Sequence, residues 1–146
     1  MRLHHLLLSF CAAPLLTACV NDSASYLIDG NPDHSLTVIR EQPYFWNDKV
    51  NLQLVVARMP DCMRRHQLGS GNERTQVEIW QAPSGAYIIR LGKRMYATEM
   101  QTCESFAPIN GDPPGGMGDL KGVFRLRQGK WGFVEGAISG GNNRGD

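Results

Sequence analysis

The sequence predicts an all-β domain: a small antiparallel sheet curled into a sandwich or compact barrel, with little helix. Three observations lead there. Apolar residues alternate with polar ones through the middle of the chain. Gly and Pro interrupt every window long enough for a substantial helix. Tight turn signals stand between the alternating runs at hairpin spacing. About six or seven short strands cannot hide their apolar faces in one flat layer, so the sheet must fold over on itself.

In chain order, residues 19–34 read as a polar tether, with Asn21-Asp22-Ser23, Asp29-Gly30 and Asn31-Pro32-Asp33; Tyr26-Leu27-Ile28 within it could add a short strand. The β domain proper spans 35–137. Residues 35–42 form a strand closed by Pro43 and the aromatic run Tyr44-Phe45-Trp46. Residues 50–58 are the clearest strand, with Val50, Leu52, Leu54 and Val56 on one face; Val55 and Ala57 make the other face apolar toward its end. Residues 61–67 allow one helical turn. Strand 74–82 sets Val77 and Ile79 opposite Glu78 and Trp80, and Trp80 is expected in ordinary core packing.

Pro83-Ser84-Gly85 turns into 86–91, where Tyr87, Ile89 and Leu91 alternate with Ile88 and Arg90. Gly92-Lys93 suits a two-residue hairpin, with 94–101 as the returning strand. Residues 105–119 carry Pro108, Pro113, Pro114 and several glycines, and read as a long loop. A last hairpin joins 123–127 to 131–135 through Gln128-Gly129 or Gly129-Lys130. The tail 138–146 is expected to fray. The expected core is Leu52, Leu54, Val56, Val77, Ile79, Tyr87, Ile89, Leu91, Phe124, Leu126 and Phe133.

The N-terminus carries a different signal. After Arg2 comes a short apolar stretch (Leu6, Leu7, Leu8, Phe10, Ala12, Ala13, Leu15, Leu16), too short to span a bilayer, which takes about 20 residues. It ends in Leu16-Thr17-Ala18-Cys19, which resembles a bacterial lipobox. The resemblance implies that residues 1–18 are a lipoprotein signal peptide, that a diacylglyceryl group is attached to the Cys19 thiol, and that cleavage leaves Cys19 first. The other reading is an ordinary cleavable signal with Ala18 before the cut. Cys11 is a poorer modification site because the bulky Phe10 precedes it. In the Gram-negative proteins that carry this motif, Asp after the cysteine retains the protein at the inner membrane. Val20 there implies the outer membrane, with the chain facing the periplasm.

Loss of Cys11 with the signal and acylation of Cys19 leave Cys62 and Cys103, which in an oxidising compartment are expected to form a disulfide. The chain has 15 basic and 14 acidic residues, and losing Arg2 balances them. No excess of one sign points to nucleic acid. Met59, Cys62, Met63 and His66 are soft ligand types close in sequence, so a copper carrier or an envelope enzyme is the competing expectation.

Catalytic motifs are sparse. His34 and His66 lie in no nucleophile or zinc pattern, and Ser84 lacks the glycine spacing of a nucleophile elbow. Adjacent Asp33-His34-Ser35 would point apart on an extended chain. Glu99 and Glu104 flank a strand end and read as solvated acids. The glycines of 110–118 lack the Lys and Ser or Thr of a phosphate cradle, and terminal Arg144-Gly145-Asp146 reads as tail.

The function expected is therefore noncatalytic: an anchored β domain, without cofactor or metal, that binds another envelope protein or peptidoglycan through Tyr44, Phe45 and Trp46. Aromatic side chains dominate such contacts. Ser84-Gly85-Ala86-Tyr87 resembles a segment of membrane-bound lysozyme inhibitors, small β lipoproteins with a disulfide. That resemblance implies an inhibitor-like binding protein, although the family's following Trp-Lys-Gly element is absent.

Overall fold

The computed structural model describes residues 20–136. The expected signal segment, Cys19 and the 138–146 tail lie outside the described residues. Ten strands are present among them, in two antiparallel sheets arranged as a sandwich. The first sheet is a meander of β1 (Val20–Leu27), β2 (His34–Gln42), β3 (Lys49–Arg58) and β4 (Cys62–Asn72). The second contains β5 (Val77–Gln81), β6 (Tyr87–Leu91), β7 (Arg94–Thr98), β8 (Phe106–Ile109), β9 (Asp119–Arg127) and β10 (Lys130–Glu135), in the order β10-β9-β5-β6-β7-β8.

Alternation sets the inner faces. Leu36, Val38, Val50, Leu52, Leu54 and Val56 from the first sheet meet Val77, Ile79, Tyr87, Ile89, Leu91 and Phe124 from the second in one buried cluster. Each such side chain contributes about 1.5–3 kcal/mol when fully buried. Leu126 and Phe133, expected inside, pack against the cluster only half-buried. Trp131 is buried between the sheets, and its indole N–H donates to the Val38 carbonyl at 3.1 Å. The Gln128-Gly129 turn takes φ of 50° and 75°, the paired positive values that a two-residue hairpin needs to match strand twist.

Three segments not expected as strands account for the larger number. Residues 20–27, expected as tether, are β1, paired with β2 along their whole length from Val20↔Gln42 to Leu27↔Ser35. Its side chains are largely polar because it is an edge strand, and of those described Ala24 and Tyr26 pack against the core. Where a helical turn was expected at 61–67, residues 62–67 form the start of β4. Pairing of Gln67 with Gln53 and Gly69 with Leu52 leaves Leu68 as a bulge residue, fully buried. That bulge, and the polar Arg64, Arg65 and Gln67 of an edge strand, break the alternation. Within 105–119, residues 106–109 form β8, where Pro108 is tolerated because the strand is an edge and its missing N–H breaks no ladder. The return strand at 94–101 stops at Thr98.

Candidate functional site

Two links between the sheets show which strand ends coincide. The disulfide joins Cys62, at the start of β4, to Cys103 in the loop between β7 and β8, with Cα atoms 5.9 Å apart. At the other end of β4, the Arg94 guanidinium donates to the carbonyls of Leu68 (3.2 Å) and Ser70 (2.7 Å). The sandwich thus has a disulfide end and, opposite it, the end that carries the β2–β3 loop.

That loop holds the expected contact residues together. Tyr44, Phe45 and Trp46 are 53%, 69% and 71% exposed. The Trp46 ring centroid lies 5.1 Å from Tyr44 and 4.8 Å from Phe45, the latter edge to face. Short-range hydrogen bonds shape the turn. Asn47 N–H donates to the Tyr44 carbonyl (3.2 Å), Gln42 Nε2 to the Asn47 carbonyl (2.7 Å) and Lys49 N–H to Asn47 Oδ1 (3.0 Å). The rings pack against one another outside the core, a platform held by its own turn. Trp80, by contrast, lies half-buried on the outer face of the second sheet, not in the core. Its indole N–H donates to Glu78, which Arg90 also grips through two bonds of 2.8 Å. Burial pushes the Glu78 carboxyl up, and the Arg90 and Trp80 hydrogen bonds outweigh it and hold it below the usual range.

At the disulfide end two of the four soft ligand types, Cys62 and His66, are engaged in other bonds. Cys62 is bridged, so no thiolate remains. His66 Nε2 donates to the Cys103 carbonyl at 2.9 Å, and its ring stacks on Phe106 at 4.6 Å. Met59 and Met63 are exposed. Among the described residues no three His, Cys, Asp or Glu are gathered to hold a metal ion. His66 reads as a packed histidine that ties the 99–105 loop to β4.

Glu99 organises that loop. Its carboxylate accepts from the Thr102 hydroxyl (2.7 Å) and from the N–H groups of Gln101, Thr102 and Ser105. The Thr102 side chain and backbone, then the Gln101 and Ser105 backbones, hold the carboxyl down at about 2. This is a structural carboxylate, since its lone pairs are spent on its own loop. Burial raises Tyr87 to about 12, so that phenol is a neutral core group. Ser84 and Gly85 form an exposed turn leading to it.

Residue alternation also hides one feature that sequence reading missed. Arg40 shares the inward face of β2 with Leu36 and Val38, and is 5% exposed. It pairs with Asp22 of β1 at 3.0 Å, while its Nε has no partner. A charge in phase with apolar neighbours was the available signal; β1 had to be recognised as a strand before Asp22 could be seen as its counter-ion.

Comparison with known protein families, curated proteins and solved structures finds no match for the chain.

Proposed function

We propose that the protein is a membrane-anchored lipoprotein of the bacterial envelope, with a noncatalytic binding or assembly role. Its β-sandwich presents Tyr44, Phe45 and Trp46 as a contact surface. The anchor rests on Leu16-Thr17-Ala18-Cys19, and the outer membrane is favoured by Val20. The single observation that carries the binding role is the aromatic platform: three large rings, each more than half exposed, on a turn fixed by its own hydrogen bonds. Water-exposed rings in such a cluster gain most by being covered.

The test is intact-mass analysis of the full chain recovered from a lipoprotein-processing bacterial host. The expected species begins at Cys19, carries acyl mass and fractionates with membranes, while Cys19→Ala leaves an unprocessed or mislocalised precursor. A free Cys19 thiol on a water-soluble chain would remove the anchor from this reading.

A further inference from the structure

The strand register brings the proposed anchor and the aromatic platform to the same place. Val20 pairs with Gln42, the last residue of β2, and Pro43 leads directly into Tyr44. The Val20 Cα lies within roughly 13 Å of that of Tyr44, from one strand spacing and two further residues, and Cys19 is the covalent neighbour of Val20. No tether separates them, since β1 is hydrogen-bonded to β2 from Val20 onward. A domain held by acyl chains at Cys19 has little room to stand off from the bilayer.

Charge is distributed to match. The same end collects the turns after β2, β4, β6 and β9, which bring together Lys49, Arg74, Lys93, Arg125, Arg127 and Lys130. Glu41, Asp48 and Glu73 are the acids of those segments, and the loop after β8, which leaves the same end where Ile109 pairs with Met95, adds Asp112. A cleft lined by Glu73, Arg74, Gln76, Arg125 and Leu126 shows that the turn after β4 and the end of β9 are neighbours. The disulfide end has the opposite character, with Asp29, Asp33, Asp61, Glu99, Glu104 and Asp119 in its loops and strand ends. Its Arg58 lies 3.6 Å from Asp61, and Arg64, near the start of β4, lies 3.4 Å from Glu104. Arg65 and Lys121 lie toward that end too, so a chain with almost no net charge carries more cations than acids at one end of the sandwich and more acids than cations at the other.

We infer that the Tyr44-Phe45-Trp46 loop is a lipid contact: it lies in the headgroup zone of the membrane that holds Cys19, and the basic end of the sandwich rests on anionic lipid. Tyr and Trp favour that zone because an apolar ring and a polar N–H or O–H are both satisfied there. Lys and Arg around them complement the negative surface potential of anionic lipid. The acidic disulfide end is then turned toward the periplasm. This inference rests on acylation of Cys19, and it names the partner of the aromatic platform as a bilayer rather than a protein.

The full chain, recovered with its acyl chains, is reconstituted in vesicles of phosphatidylethanolamine and phosphatidylglycerol with brominated acyl chains. Tryptophan emission is compared with that of Trp46→Phe, which isolates the Trp46 component; intact mass is taken on the same sample. The expected result is acyl mass on Cys19 and a Trp46 component quenched at least about twofold, because indoles at the interface lie within reach of lipid bromines. Acyl mass with an unquenched Trp46 overturns the lipid contact and leaves the anchor standing, with a protein as the occupant of the platform. Absence of acyl mass overturns both.

Discussion

The two ends of the sandwich are built from the same meandering strands but stabilised in different ways. At the disulfide end, loops are stitched down: Cys62 is bonded to Cys103, His66 to the Cys103 carbonyl, and Glu99 caps its own loop. At the other end the largest loop residues point away from the protein, and Arg94 and the Asp22–Arg40 pair hold the strands beneath them. One end spends its polar groups on internal bonds and the other leaves rings and cations outward. The difference separates residues that keep the fold from residues that are free to touch something else.

The disulfide separates the two ends most sharply. Cys62→Ser with Cys103→Ser should lower stability by about 2–5 kcal/mol, as for a native bridge in a small domain. Its loop spans 41 residues. Urea denaturation of oxidised, reduced and doubly substituted protein measures this; unchanged midpoints would mean the stitched end does not depend on its bridge.

Next in size is the ion pair under the aromatic end. Asp22→Ala removes the partner of a buried guanidinium and should cost about 1–3 kcal/mol, moderated because Asp22 is about a third exposed. Replacing both members with apolar residues should restore part of the loss. If both substitutions are neutral by thermal melting, Arg40 is satisfied in another way.

A smaller effect distinguishes the ends by pH. The Glu99 carboxyl is held at about 2, below its ordinary 4.5, so its contribution is complete above the ordinary value and is lost as pH falls toward 2. Glu99→Gln should flatten the acid limb of the stability profile, read from denaturation midpoints between pH 5 and 2. An unaltered limb would place the acid sensitivity elsewhere.

The smallest predicted effect is at the platform itself. Trp46→Ala should change stability by no more than about 0.5 kcal/mol, because the ring is 71% exposed and outside the core. A loss of several kcal/mol by the same denaturation assay would make the ring a packing residue.

How much of this was legible in the sequence depended on alternation. Strands with an alternating apolar face were readable: β3, β5, β6, and the β9–β10 hairpin with its Gln128-Gly129 turn. The cysteine pair also followed from counting, and Tyr44-Phe45-Trp46 stood out as a run after Pro43. Edge strands were not readable, because β1 and β4 carry polar residues that face water, and β8 contains a proline that only an edge accepts. That misreading turned β1 into a tether and so hid both Asp22 as the counter-ion of Arg40 and the pairing that sets Val20 beside the aromatic loop. The basic end was also invisible in one dimension. Its cations come from separate turns, and only sheet topology brings them together.

The most direct measurement is hydroxyl-radical footprinting of the acylated protein in anionic vesicles, with reporters at both ends in one sample. The reference is the same protein released by hydrolysis of its acyl esters. Tyr44, Phe45 and Trp46 report on one end; Met59 and Met63, 45% and 57% exposed, report on the other. The predicted result is at least about threefold less modification of the aromatic triad on vesicles, as expected for rings in the interface, with the two methionines unchanged. Equal modification of the triad in both states, or protection of Met59 and Met63 instead, would contradict the account.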